Sequence, residues 1–139
     1  NLEAMGQIIK MQYYIAACSN DAMQHAILAA MEHASDYPDI LATEFQKRCN
    51  LIVDRLNAMP GVECHKPKGA IYVFPKVDVP NMSSEELALE LLKDGVLCSP
   101  GSAFGPSGEG HLRFAYTISQ EDISRGMDKV EKTLKRLQS

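Results

Sequence analysis

Arg113 lies inside Leu112–Tyr116, a stretch otherwise made of apolar residues. A guanidinium in such a place loses hydration, which is costly unless the charge is paired. Two readings follow. Either the side chain is exposed or structurally paired, or its planar fork of donors is matched to a carboxylate. Just ahead of it runs Gly101-Ser-Ala-Phe-Gly-Pro-Ser-Gly-Glu-Gly110. A phosphate cradle would end in Gly-Lys-Ser/Thr and open a helix. This loop does neither and leads into a strand, so a plain connection is the simpler reading. His25, His33, His65 and His111 have no nucleophile beside them in a recognisable motif and read as structural; only His111 shares a strand face with Arg113. Cys18, Cys49, Cys64 and Cys98 are widely spaced, with no Cys-x-x-Cys and no Cys/His cluster at metal-ligand spacing. They read as free thiols of a reducing compartment, and no metal site is expected. The serines fall at helix caps and turns, so no nucleophile elbow is expected.

The elements that must position Arg113 follow from periodicity and punctuation. Leu2, Met5, Ile8, Ile9 and Tyr13 predict a helix over about residues 2–14. Ser19, Asn20 and Asp21 interrupt it and open a second helix over 22–34. The Tyr37-Pro38-Asp39 step starts a long helix with Phe45, Cys49, Ile52, Leu56 and Met59 on one stripe, stopped by Pro60-Gly61. Val62–Lys66 reads as a strand, Pro67-Lys68-Gly69 as a turn, and Ala70–Phe74 as a strand ended by Pro75. Ser83 and Glu86 form a capping box for a helix that buries Leu87, Ala88, Leu91 and Leu92 and ends at Gly95. Val96–Cys98 predicts a short strand. His111–Tyr116 predicts another, with Leu112, Phe114 and Tyr116 on one face and His111, Arg113 and Ala115 on the other. A last helix opens with the cap pair Ser119 and Asp122; its stripe is Ile123, Met127, Val130, Leu134 and Leu137.

This order predicts an α+β fold, a small antiparallel or mixed sheet packed with helices. Residues 1–35 form a helical segment and 36–139 a small domain, together one folded unit. Hydrophobic residues make up 45% and charged residues 23%, the balance of a globular chain with one core. The net charge of -4 and the scattered basic residues argue against a nucleic-acid footprint. No apolar run approaches the ~20 residues of a membrane span. A cytoplasmic location is expected.

Three stretches carry a family resemblance. Pro67-Lys-Gly-Ala-Ile-Tyr-Val-Phe74, Gly95-Val-Leu-Cys-Ser-Pro-Gly-Ser-Ala-Phe-Gly105 and Gly108-Glu-Gly-His-Leu-Arg-Phe-Ala-Tyr116 resemble strands and a loop of the class I/II pyridoxal-phosphate-dependent aminotransferases, in the family's order and spacing. Met11-Gln-Tyr-Tyr-Ile-Ala-Ala-Cys-Ser-Asn20, on through Met31, is similar to the helix that leaves the family's large domain. The resemblance implies the small domain of the fold-type I enzymes. It implies that Arg113 grips the substrate's α-carboxylate, with Phe104 and Gly105 near the same pocket. It also implies a homodimer of two-domain subunits, and an amino acid and a 2-oxo acid as substrates. The family's Schiff-base lysine follows a small residue. The nine lysines here follow Ile9, Gln46, His65, Pro67, Pro75, Leu92, Asp128, Glu131 and Leu134, so none matches. The resemblance therefore places that lysine, and the groups that hold pyridoxal 5'-phosphate, in a missing large domain upstream of Asn1, and no residue of this chain is expected to bind the cofactor covalently. Two other readings share Arg113: a non-catalytic module that binds a small carboxylate, and another enzyme of the superfamily, such as a carbon–sulfur lyase or a cyclopropane-forming synthase.

Overall fold

The computed structural model describes residues 1–138 and divides into two compact units, residues 1–40 and 41–139. The first holds helix α1 (Leu2–Ile15), helix α2 (Asp21–His33) and the opening turn of helix α3 (Tyr37–Asn57). Asn1 caps α1 by accepting from the Glu3 and Ala4 amides, and Asn20 caps α2 by accepting from Met23. Neither helix buries a residue, and the predicted stripe from Leu2 to Tyr13 is exposed.

The second unit contains the remainder of α3, five short strands and two more helices. Strand β1 (Val62–Glu63) pairs antiparallel with β3 (Lys76–Val77), and β2 (Tyr72–Val73), β5 (Leu112–Ala115) and β4 (Ser99–Pro100) form a second antiparallel sheet in the order β2-β5-β4. Helices α4 (Ser84–Lys93) and α5 (Gln120–Gln138) complete it. The core joins Cys49, Ile52 and Leu56 of α3 to Val73, Leu87, Leu91, Leu112 and Phe114 and to Ile123, Met127, Val130 and Leu134 of α5. The helical stripes of α3 and α5 are therefore the buried ones, and the α+β class holds.

The strands are shorter than the sequence predicts, for local reasons. The 62–66 strand stops at Glu63 because Cys64 turns to a side chain: its amide donates to Asn57 Oδ1 at 2.8 Å and its carbonyl accepts from Asn57 Nδ2 at 3.0 Å. In the 70–74 strand, Ala70 has φ +62°, outside the β region, so pairing begins only at Tyr72. Pro75 does not end the extended run. Burial alternates from Val73 through Pro75 and Val77 to Val79. Pro75 has no N–H, so it divides the run into β2 and β3, which serve different sheets. Strand β4 begins at Ser99, past the expected 96–98. Gly95 (φ +80°) ends α4, with the Val96 and Gly95 amides returning to the Leu91 and Leu92 carbonyls. That reversal occupies residues that would otherwise pair. Leu92 is exposed and not buried as expected, because it lies about 100° round the helix from fully buried Leu91.

Candidate carboxylate-binding site

Strand β5 is the middle of its sheet, so its side chains have neighbours on both flanks. Leu112 and Phe114 point into the core and Arg113 to the other face, where it is half-buried. Ser99 lies directly opposite Arg113 on β4, and its hydroxyl accepts from the guanidinium at 3.2 Å. Tyr72 lies opposite Ala115 on β2, one diagonal step away. The guanidinium carbon lies over the face of its ring, 4.6 Å from the centroid, and over that of Phe104 at 4.7 Å. Arg113 is thus flanked by two aromatic rings. Each such cation–π contact is worth about 0.5–1 kcal/mol at an exposed site and more when desolvated. The rings supply what the apolar strand cannot, a favourable surrounding for the charge that leaves its in-plane N–H groups for hydrogen bonding.

Among the described residues, no Asp or Glu forms an ion pair with Arg113. Arg48 of α3 shows the contrast: it is bound to Glu44 at 2.8 Å and to the Thr117 carbonyl at 3.0 Å. Around Arg113 the chemistry on offer is a fork of cationic donors, a hydroxyl and ring faces. This set fits a small carboxylate.

The rings continue into a cluster. Phe74 meets Phe104 edge-on at 5.8 Å and stacks on His111 at 5.1 Å. His111 Nδ1 lies 3.1 Å from the Glu109 carbonyl oxygen. His111 is therefore a wall of the cluster and has no nucleophile as a partner. Cys98, next to Ser99, has its thiol pushed up to about 11 by burial. At neutral pH it is a protonated thiol and a poor nucleophile. No group of three or more metal-ligating side chains gathers among the described residues.

The loop that brings Phe104 is built tightly. It makes two 3₁₀ turns, Gly101–Phe104 and Pro106–Gly108, and its ends cross so closely that a Cβ on Gly101 would lie 2.0 Å from the Gly108 carbonyl oxygen. Gly101 and Gly108 thus permit a close backbone contact that a side chain would block. A groove of the second unit, about 580 Å³, lies elsewhere: it is lined by Val96, Leu97, Ile118, Ile123 and Met127 and does not include Arg113. Of its three charged lining residues, Asp122, Arg125 and Lys129, the first two are paired to each other.

Arg113 and Phe104 come together as expected, whereas Gly105 gives the loop its φ of +111°. Tyr72 and Ser99 were not singled out from sequence. The alternation of β2 carried the signal for Tyr72. Ser99 was hidden because the strand was expected three residues too early.

No known family profile matches the chain. Individual proteins do. Aromatic-amino-acid aminotransferase 2 of Thermococcus litoralis is 36% identical over 132 residues, 93% of this chain and 34% of the relative. An aspartate aminotransferase of Pyrococcus abyssi is 35% identical over 93% of this chain and 34% of its own length. Among solved structures, an alanine aminotransferase of Pyrococcus furiosus superposes with a TM-score of 0.87 at 33% identity, over 98% of this chain and 35% of that one. An aromatic aminotransferase of Pyrococcus horikoshii gives 0.85 at 33% identity, over 94% and 36%. The chain thus spans only about a third (34%) of the length of the curated relatives it matches. In sequence and fold together, what the chain is similar to is the C-terminal part of the aminotransferases.

Proposed function

We propose that this chain supplies the substrate-carboxylate site of an enzyme that moves an amino group between an amino acid and a 2-oxo acid. The observation that carries the proposal is Arg113, held between Tyr72 and Phe104 with a hydroxyl beside it and no acid of the described chain paired to it. Both substrates of a transamination carry a carboxylate next to the reacting carbon. One fixed bidentate cation can therefore orient either of them. The two ring contacts and the Ser99 bond restrain the guanidinium, so less freedom is lost when the carboxylate arrives.

The groups around Arg113 do not fit pyridoxal phosphate itself. They include no amine to condense with its aldehyde and no carboxylate for its ring nitrogen. The cofactor is assigned to the remainder of the enzyme, together with the large domain and the second subunit of a homodimer. In that arrangement residues 1–35 are the helical link and 36–139 the small domain.

Arg113→Ala in the cofactor-loaded enzyme tests the proposal. Truncating a charge-assisted contact of this kind costs roughly 2–5 kcal/mol. That corresponds to about thirty-fold to several-thousand-fold in kcat/KM, at ~1.4 kcal/mol per decade. Transamination at a near-normal rate would overturn it.

A further inference from the structure

The Arg113 site depends on Phe104, and Phe104 sits on a loop with no regular strand or long helix to hold it. One side chain ties that loop down. The Glu109 carboxylate accepts from the Ser84 amide at 2.6 Å, from the Ser84 hydroxyl at 3.1 Å and from the Gly110 amide at 3.2 Å. The Ser84 hydroxyl oxygen, almost fully buried, also accepts from the Ser102 amide at 3.2 Å. A chain of hydrogen bonds therefore runs from the far end of the loop, through the start of α4, to the residue two before Phe104.

Three features make this more than a helix cap. First, α4 is already capped: Ser83 accepts from Glu86, and Glu86 returns a bond to Ser83. Glu109 adds a second acid at the same helix end, from 25 residues away in sequence. Second, both of its carboxylate oxygens are used, so the side chain is held in one pose. Third, the backbone crossing of Gly101 and Gly108 lies one residue before each of the two anchor points, Ser102 and Glu109, so a shift at one end of the loop is passed to the other. Besides that crossing and the packing of Phe104 on Phe74, this segment is anchored by the Ser102 bond and by the Gly101 amide, which donates to the His111 carbonyl at 2.8 Å.

We infer that Glu109, acting through Ser84 and Ser102, is a positioning residue that holds the Phe104 ring against Arg113 and so sets the orientation of the substrate carboxylate. Glu109 does not touch the substrate. The inference rests on the carboxylate role proposed for Arg113, and the test separates the two.

Glu109→Gln, Ser84→Ala, Phe104→Leu, Arg113→Ala and the double variant Glu109→Gln/Phe104→Leu are compared in the cofactor-loaded enzyme. Steady-state kinetics with both substrates is combined with hydrogen exchange of the peptide spanning residues 101–104. Glu109→Gln is expected to raise KM for the amino acid and the 2-oxo acid roughly tenfold while kcat changes less than about threefold, since a loosened carboxylate grip affects ground and transition states alike. Exchange at 101–104 should quicken. Ser84→Ala removes the hydroxyl relay but keeps the amide, so it should act in the same direction and more weakly. It decides the matter should Glu109→Gln not fold. In the Phe104→Leu background Glu109→Gln should add little, because the two act in series. The inference is overturned if Glu109→Gln leaves KM or loop exchange unchanged while Arg113→Ala raises KM. It is equally overturned if the Glu109 and Phe104 effects multiply. If Arg113→Ala leaves KM unchanged, the carboxylate reading falls, and this inference falls with it.

Discussion

Arg113 shows how far residue type alone reaches. A guanidinium in an apolar strand is conspicuous in sequence, and period-2 alternation assigns it to the face away from the core, where the structure has it. What surrounds it was less legible. Tyr72 depends on the register between β2 and β5, and Phe104 on a loop conformation that no local pattern encodes. The same contacts set the expected cost of removing the charge from the folded chain. Arg113 has no buried acid to strand, so Arg113→Ala forfeits two ring contacts and one hydrogen bond to Ser99. We expect a loss of roughly 1.5–3.5 kcal/mol in urea unfolding. Arg113→Lys should recover part of the carboxylate affinity but not the ring stacking, because a point charge has no plane to stack. Global unfolding of the alanine variant would show that Arg113 is a structural ion.

At the scale of elements, helices were legible because their signals are local. The Ser83/Glu86 box, the Ser119/Asp122 pair and Gly95 all act where the sequence puts them. Strands were not, because two-residue pairings owe their limits to distant groups. Asn57 is the clearest instance. It sits at the end of α3, an unremarkable polar residue in sequence, and its amide satisfies both backbone groups of buried Cys64. Asn57→Ala would leave an N–H and a C=O without that partner. The expected destabilisation is roughly 1–3 kcal/mol, seen as a lower urea midpoint at unchanged slope. A change below a few tenths would mean that water replaces the amide without cost. Asn57→Asp keeps the acceptor for the Cys64 amide but loses the donor to its carbonyl, and should fall between the two.

Over the whole molecule, acid should weaken the second unit first. Ser83 holds the Glu86 carboxyl below its ordinary value of 4.5, the Ser84 and Gly110 amides do the same for Glu109, and Lys93 with Arg136 does so for Glu90. Asp94, bonded to Thr133 and Arg136, lies below its ordinary 3.8. A depressed folded value means that the unfolded chain binds more protons in that window. The stabilisation is complete above about pH 4.5 and is lost as pH falls through the lowered values. Denaturation midpoints measured from pH 6 to 3 should therefore drop below about 4.5. The first unit presents a different problem. Its helices are well capped, yet Leu2 is 92% exposed, Ile8 58% and Tyr13 67%, and no residue of α1 or α2 is buried. The stripe that makes the sequence read as helix is a face made for contact. Single helices of fewer than ~15 residues are marginal in water without such contact. Contiguous apolar patches beyond a few hundred Å² tend to associate. The 139-residue chain on its own should therefore either self-associate in a concentration-dependent way or fray over roughly its first fifteen residues. Sedimentation across a range of concentrations, read beside hydrogen exchange of α1, distinguishes the two. Replacing Ile8 and Ile9 with glutamate should abolish association and leave the unfolding of the second unit unchanged, since neither side chain belongs to its core. A monomer in which α1 is strongly protected from exchange would contradict this account of the exposed stripe.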